Sequence, residues 1–307
     1  MPQELHSQVD AARSGMLIRS YAHEVLGISS TLLKRIKREG GIFQNGKPVF
    51  VNETVQTGDS LCFVLPAEQP SREVLPQKRD LCILEEDEHL LVLNKPAGMA
   101  VHPDKRRTQG TVANYLLGHY EDRGERAGCH LVNRLDTGTS GLMVVAKHAY
   151  AHERLAAQMK NGVFIRHYLA LVHGAFSEPQ GVVDAPLGHP PAATIKREVM
   201  ADGKPAVTHY RVLCSGDSLS LLRLWLDTGR THQIRAHMAY QGHPLYGDFL
   251  YGTEEAAMNR PALHSCYAAF QHPVTGQKKA FCCAPPEDFR ELARACFQAG
   301  AQISIME

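Results

Sequence analysis

Short β-rich apolar runs follow one another along residues 80–285, and few helical segments separate them. The runs alternate partly between apolar and polar positions, as half-buried strands do. A regular strand–helix–strand order, which a doubly wound parallel sheet requires, is missing. The sequence therefore predicts an α+β domain with a mixed, mostly antiparallel β-sheet flanked by helices. The predicted strands lie in ILEEDEHLLVLNKP, GLMVVAK, RHYLALVHG, VTHYRVL and LSLLRLWL, and the predicted helices in AYAHERLAAQMK, THQIRAHMAYQ and PPEDFRELARACFQ.

A segment rich in proline and charge, PAEQPSREVLPQKRD, interrupts the chain near residues 66–80. It has no sustained apolar period, which is typical of a linker. We therefore expect a small N-terminal domain at residues 1–66, a linker at 67–79 and a larger domain at 80–307. A length of 307 residues and an apolar fraction of 44% suit this arrangement.

The small N-terminal segment contains a basic amphipathic helix, STLLKRIKREGG. Ser29 and Ser30 offer an N-cap, and the two glycines predict its end. The apolar residues fall on one arc of a helical wheel. Such a helix either exposes a solvated face or binds phosphates, and the near absence of acidic residues favours phosphates. The cations on the opposite arc are Lys34, Arg35, Lys37 and Arg38.

Short strand segments follow this helix around residues 42–44 and 48–51, with the hairpin-turn pair Asn45-Gly46 between them. The whole stretch LLKRIKREGGIFQNGKPVFVNETVQTGDSLCFVLP resembles the alpha-L RNA-binding domain, which is named from a small-subunit ribosomal protein. That resemblance implies that the basic helix and the neighbouring turn bind folded RNA.

Two Asp-Thr-Gly tripeptides, in LDTGTSG at 135–141 and LDTGR at 226–230, are similar to the catalytic loops of aspartic proteases. A protease dyad needs two carboxylates in equivalent settings that share one proton. Here an arginine lies close to each aspartate, and the first loop leads into a strand while the second leads into a helix. A hydrolase is therefore a remote alternative, and Asp227 is expected to form only a turn.

The sequence gives little support for a metal site or a membrane-spanning segment. The eight cysteines form no Cys-x-x-Cys pair, and the seventeen histidines show no metal-ligand spacing. No apolar run approaches the length of a membrane span, and the N-terminus lacks the apolar core of a signal peptide. We expect a cytoplasmic protein with reduced thiols and no metal. A net charge of +1 implies that any nucleic-acid-binding surface is local.

The segment around the first Asp-Thr-Gly, VNRLDTGTSGLMVVAK, resembles the signature of the RluA-type pseudouridine synthases. Other segments match motifs of that family in the same order, so the resemblance covers nearly all of residues 80–285. One departure is Asn133, where many members have histidine. The other matching segments are NKPAGMAVHP, RHYLALVHG, DTGRTHQIRAHMAYQGHPLYGDFLYG and ALHSCYAAFQHPVTG.

The resemblance implies an enzyme that isomerises uridine in RNA to pseudouridine and needs no cofactor. By analogy with the family, Asp136 is the ionised catalytic carboxylate and Arg235 is its ion-pair partner. Tyr168 matches the tyrosine that lies against the flipped base. The sequence leaves open whether Asp136 attacks the sugar, removes a sugar proton or adds to the uracil ring.

The same resemblance suggests residues that contact the nucleotide. Arg134, Arg230 and His232 are expected to hold the flipped nucleotide or the flanking phosphates. Lys95 and His102 either line the site or support it.

RNA is the expected partner, with ribosomal RNA ahead of transfer RNA, and the chain is expected to act as a monomer without an obligate protein partner. The alternative from another class is a non-catalytic RNA-binding or ribosome-assembly factor. Such a factor would keep the basic helix but would not need Asp136, Tyr168 and Arg235 together.

Overall fold

The structure is a computed structural model that describes residues 3–68, 74–105, 107–190, 195–216 and 218–297. Residues 69–73 of the predicted linker and 298–307 at the end of the predicted large domain lie outside these ranges. So does Gln298, the last residue of the last predicted helix. Within the described ranges, every helix is too short or too polar to span a membrane.

Residues 3–68 form a small antiparallel sheet covered by two helices. Its elements are β1 (Glu4–Gln8), α1 (Ile18–Glu24), α2 (Ser30–Arg38), β2 (Ile42–Gln44), β3 (Lys47–Pro48) and β4 (Ser60–Val64). The strand order is β1-β4-β2-β3. Asn45 and Gly46 both have positive φ angles, of 52° and 76°, as the predicted hairpin turn requires. The strand predicted at 48–51 is wrong beyond Pro48, because Glu53 N–H donates to the Phe50 carbonyl and turns the chain.

The predicted basic helix is confirmed as α2. Its N-cap is Ser29, whose Oγ accepts a hydrogen bond from Leu32 N–H at 3.1 Å. The apolar arc is buried in the small core and the cations lie on the outer side. Buried are Leu32, Leu33 and Ile36, whereas Lys34, Lys37 and Arg38 are exposed and Arg35 is half-buried.

The rest of the described chain forms a larger mixed sheet with helices packed against it, and a separate two-stranded sheet made of the strands at 187–188 and 198–199. Its elements are β5 (Ile83–Glu86), β6 (Leu90–Lys95), α3 (Val112–Asp122), β7 (His130–Leu131), β8 (Ser140–Ala146), α4 (Ala149–Lys160), β9 (Ile165–His173), β10 (Gln180–Asp184), β11 (Leu187–Gly188), β12 (Glu198–Val199), β13 (Val207–Ser215), β14 (Leu219–Leu226), α5 (Gln233–Tyr240), β15 (Leu263–Gln271), β16 (Lys278–Cys282) and α6 (Glu287–Phe297).

The main sheet has the order β10-β13-β14-β9-β15-β8-β6-β5, with β16 paired to β15 and β7 paired to β8. Only β15 and β8 run parallel, over two residue pairs, and the other pairs in this sheet are antiparallel. The predicted α+β class with a mostly antiparallel sheet is therefore confirmed. The sheet brings β8, β9 and α5 together, although their motifs are far apart in the sequence.

Helix α4 of the larger part packs into the core of the small N-terminal part. Tyr150 is 5% exposed within that core, and its hydroxyl donates to the Leu26 carbonyl at 2.8 Å. Ser29 Oγ donates to Glu153 at 2.6 Å, so the residue that caps α2 also joins it to α4. The basic helix is thereby held against the larger part of the chain. The exact domain boundaries stay a prediction.

Helix α3 was not predicted. A capping box begins it, in which Thr111 and Asn114 bond to each other's backbone N–H groups. The described end of the predicted linker lies against this helix, where Asn114 Nδ2 donates to the Leu75 carbonyl at 2.8 Å and Gln77 N–H donates to the Asn114 carbonyl at 2.9 Å.

Candidate active site

Asp136 lies on a loop that the Asn133 side chain holds against β8. Asn133 is buried; its Nδ2 donates to the Leu142 carbonyl at 3.1 Å and its Oδ1 accepts from Val144 N–H at 2.8 Å. An amide can donate and accept at once, as a neutral imidazole also can. The departure from the family pattern at position 133 therefore keeps the loop anchored.

Lys95, at the end of β6, supports the same loop from beneath. Its buried Nζ donates to the carbonyls of Pro96 at 2.9 Å, Met99 at 2.9 Å and Thr137 at 3.3 Å. Burial lowers the pKa of Lys95 to about 7, and the charge of Asp136 opposes that shift. Because the Lys95 ammonium donates its hydrogen bonds to backbone carbonyls, we interpret Lys95 as a residue that supports the loop.

The loop then enters β8 through a close backbone contact. Gly141 has φ +113°, and a Cβ there would lie 2.2 Å from the Ser265 carbonyl oxygen of β15. Glycine is therefore required at this crossing. Next to it, the buried Ser140 hydroxyl and His264 Nδ1 are 2.9 Å apart.

Arg235 joins two carboxylates on opposite sides of its guanidinium. Its Nε and Nη2 each donate to Asp248 at 2.7 Å, and its Nη1 donates to Asp136 Oδ2 at 3.2 Å. Asp248 is fully buried and Arg235 is 5% exposed. The bidentate pair with Asp248 fixes the plane of the guanidinium and leaves one edge for Asp136.

Arg235 is cationic in this setting. Burial alone would lower the pKa of Arg235, but the hydrogen bonds and charge of Asp248, together with the charge of Asp136, raise it above its ordinary value. The Tyr251 ring packs on the guanidinium, with 5.1 Å from Cζ to the ring centroid. Asp136 thus has a permanent, oriented positive charge beside it.

His232 is the N-cap of α5 and has a left-handed backbone, with φ 58°. This conformation is uncommon for a residue other than glycine. It places Nε2 at 3.9 Å from Asp136 Oδ2 and Nδ1 at 3.1 Å from the Tyr251 hydroxyl. Burial lowers the pKa of His232, against the charge of Asp136, so the ring is mainly neutral at pH 7.

Tyr168 lies on β9 and faces the same cleft as Asp136. It is 5% exposed. Burial raises the pKa of Tyr168, and the charge of Arg166 opposes that shift only in part. The hydroxyl is therefore protonated at neutral pH.

These side chains surround a cleft of about 440 Å³, a volume typical of sites that hold small molecules. Arg134 and Arg230 are exposed at its rim, and Arg230 Nε donates to the Pro205 carbonyl at 3.0 Å. His102 also lines it, and burial, followed by the charge of Arg134, lowers the pKa of His102. The structure thus brings all six predicted catalytic and substrate-binding residues to one cleft: Asp136, Tyr168, Arg235, Arg134, Arg230 and His232.

The second Asp-Thr-Gly forms a turn, as expected. Asp227 Oδ2 and His209 Nε2 are 2.8 Å apart, and the Asp227 side chain is 60% exposed. Thr228 Oγ1 accepts from Val207 N–H at 3.0 Å and donates to Gln233 at 2.8 Å. Asp227 does not line the cleft, whereas Asp136 does. The two aspartates therefore occupy unlike settings and do not form a dyad.

Sequence reasoning missed Asp248 and Tyr251. Both lie in GHPLYGDFLYG, which matched a family motif, but nothing in their spacing showed that they contact Arg235. Within the described ranges, one group of potential metal ligands lies close together, Glu4, His6 and Cys62. That group is on the small sheet and contributes nothing to the lining of the cleft.

The chain is similar to known proteins in both sequence and fold. A family model described as RNA pseudouridylate synthase matches residues 89–240, which include Asp136, Tyr168 and Arg235. The chain is 45% identical to "Uncharacterized RNA pseudouridine synthase YjbO" of Bacillus subtilis (strain 168), over 91% of this chain and 99% of that protein. It is 38% identical to "Ribosomal large subunit pseudouridine synthase D" of Zymomonas mobilis, over 95% and 97% of the two chains.

Solved structures show the same fold. The human RNA pseudouridylate synthase domain containing 1 superposes with a TM-score of 0.54 at 26% identity, over 71% of this chain and 86% of that one. Together with the sequence relatives, this places the protein among RNA-modifying isomerases. The chain belongs to the RNA pseudouridine synthase family.

Proposed function

We propose that this enzyme converts specific uridines in structured RNA to pseudouridine, with Asp136 as the catalytic carboxylate and the target base flipped into the cleft. The observation that carries the proposal is the Arg235–Asp136 pair at 3.2 Å in a cleft that Tyr168 also lines. We also propose that the enzyme acts as a monomer. Ribosomal RNA is the preferred substrate, ahead of transfer RNA, because relatives are named for the large ribosomal subunit.

The reaction balances without any further reagent. The bond between uracil N1 and ribose C1′ breaks, the base turns, and uracil C5 bonds to C1′. C5 then loses its proton and N1 gains one, so substrate and product have the same atoms. In this reaction Asp136 attacks the sugar, removes a sugar proton or adds to the uracil ring. In each route the carboxylate acts through its negative charge, and the Arg235 guanidinium donates a hydrogen bond to it at 3.2 Å.

The test of this proposal is a map of pseudouridines in total RNA from cells with and without the gene. One or a few ribosomal positions should lose pseudouridine in the deletion strain and regain it with the wild-type gene. If pseudouridine were lost only from transfer RNA, transfer RNA would replace ribosomal RNA as the assigned substrate. An unchanged map, with RNA binding intact, would favour the non-catalytic assembly factor.

Tyr168→Phe is expected to separate two contributions of one ring. Stacking of a base on an aromatic ring contributes about 1–3 kcal/mol, and phenylalanine keeps that face, so RNA affinity should stay within about twofold. Loss of the hydroxyl should slow conversion by about 10²-fold, if it relays the C5 proton. Single-turnover conversion beside equilibrium binding checks both. Full activity would leave stacking as its only role.

We propose that the outer face of α2 binds RNA phosphates. Three of its four cations are exposed, and the contact of α2 with α4 holds them at a set position relative to the rest of the chain. The half-buried Arg35 also lies near Glu68. Burial raises the pKa of Glu68, but the hydrogen bond and charge of His130, together with the charge of Arg35, lower it below its ordinary value.

Reversing all four α2 cations to Glu should flatten the salt dependence of RNA binding by about 3 units of log K against log salt, since each lost phosphate contact removes about 0.7–0.9. The maximal rate on a saturating short substrate should be unchanged, because the cleft lies outside this domain. Binding at several salt concentrations measures the slope. An unchanged slope would show that this face is merely solvated.

A further inference from the structure

Arg166 is a buried cation in the cleft that the proposed mechanism does not use. It lies on β9, two residues before Tyr168 and on the same side of the strand. It is 7% exposed and lines the same cleft as Asp136. Its Nε is buried and has no hydrogen-bond partner among the described residues.

The other buried arginines of the described chain are neutralised. Arg235 pairs with Asp248 and Arg260 pairs with Asp288, each through two hydrogen bonds. Arg166 takes part in none of the ion pairs found between described residues. A buried charge without a partner is costly, so its presence in a functional cleft points to a ligand that supplies the missing charge.

The guanidinium lies close to Gly229, an exposed residue that lines the cleft. Its Nη1 lies 3.6 Å from the point where a Cβ on Gly229 would stand, at the turn that leads to the exposed Arg230. Arg166 is therefore near both Tyr168, two residues away on β9, and the turn that leads to Arg230.

We propose that Arg166 binds a phosphodiester that flanks the extruded uridine. The inference rests on the proposed function, because it takes the extruded base to lie against Tyr168. A guanidinium presents a planar fork that matches two phosphate oxygens, and a phosphodiester carries the single negative charge that Arg166 lacks. Arg166 thus positions the nucleotide backbone while Tyr168 contacts the base.

The test combines protein variants with neutral linkages in the RNA. Target RNA is prepared with one methylphosphonate either 5′ or 3′ of the target uridine, and binding and single-turnover conversion are measured. For the wild type, one of the two linkages should lower affinity by about 10–100-fold, the range for a hydrogen bond to a charged group. Arg166→Met should lose a similar factor on unmodified RNA and lose nothing more on that methylphosphonate RNA.

Two further variants make the result specific. Arg166→Lys keeps the charge without the fork and should fall between wild type and Arg166→Met. Arg211 is an exposed arginine on β13. The Arg211→Met variant should lose the same factor in affinity as the wild type with each neutral linkage. The proposal would be overturned if, for both linkages, the loss of affinity caused by Arg166→Met and the loss caused by the methylphosphonate simply multiplied when the two changes were combined.

Thermal unfolding separates this role from a structural one. Removing an uncompensated buried charge should leave the unfolding midpoint of Arg166→Met at or above that of the wild type, whereas a clear drop would assign Arg166 to the fold. The binding measurements do not need catalysis. A wild type that binds RNA but converts none would therefore overturn the proposed function alone, and multiplicative losses would overturn the Arg166 assignment alone.

Discussion

Asp136→Asn should abolish pseudouridine formation, with a loss of at least about 10³-fold in single-turnover rate. The amide keeps the size of the side chain but removes the charge that attacks or abstracts. The fold should tolerate the change, because Asp248 still neutralises Arg235 through two hydrogen bonds of 2.7 Å. RNA affinity should be nearly unchanged. Release of tritium from C5 of labelled uridine in RNA measures turnover.

The matched control is Asp227→Asn, in the other Asp-Thr-Gly tripeptide. Its side chain is 60% exposed and lies outside the lining of the cleft, so this variant should keep close to full activity. Appreciable turnover by Asp136→Asn, or an equal loss in both variants, would contradict the assignment of Asp136.

Arg235→Leu should cripple both catalysis and stability. It removes the charge beside Asp136 and leaves Asp248 buried without its partner, which costs about 3–5 kcal/mol in the free energy of unfolding. Arg235→Lys keeps the charge but loses the fork that joins Asp248 to Asp136, so it should fold better and still lose about 10²-fold in conversion rate. Chemical denaturation and single-turnover conversion measure the two effects.

Arg211→Leu provides the control, because Arg211 is exposed on β13 and does not line the cleft. Its stability should change by less than about 0.5 kcal/mol, and its conversion rate should stay near that of the wild type. If Arg235→Lys is folded and as active as Arg211→Leu, the pairing of Arg235 with Asp136 has no catalytic role.

The order of motifs along the chain was enough to predict several of the residues that line the cleft. Arg-Leu-Asp before a β-rich run, Tyr168 in an alternating run and Arg235 in a helix each came from a local pattern combined with a family resemblance. The contacts of Asp248 with Arg235 could not be predicted, because they depend on the path of the chain after α5. The same holds for Tyr150, which reads as an ordinary helix residue but is buried in the core of the N-terminal part.

Local periodicity, capping and a contiguous motif were enough to predict the α+β class and the basic helix α2, and to single out Asp136 as the candidate carboxylate. Which charges are neutralised is evident only from the folded chain. Four arginines line the cleft, and the sequence does not distinguish their settings. Arg235 donates to two carboxylates, whereas Arg166 has a buried Nε without a partner within the described chain. The other two, Arg134 and Arg230, are exposed at the rim. Burial and pairing arise from contacts between distant segments, and these determine how a charge can act.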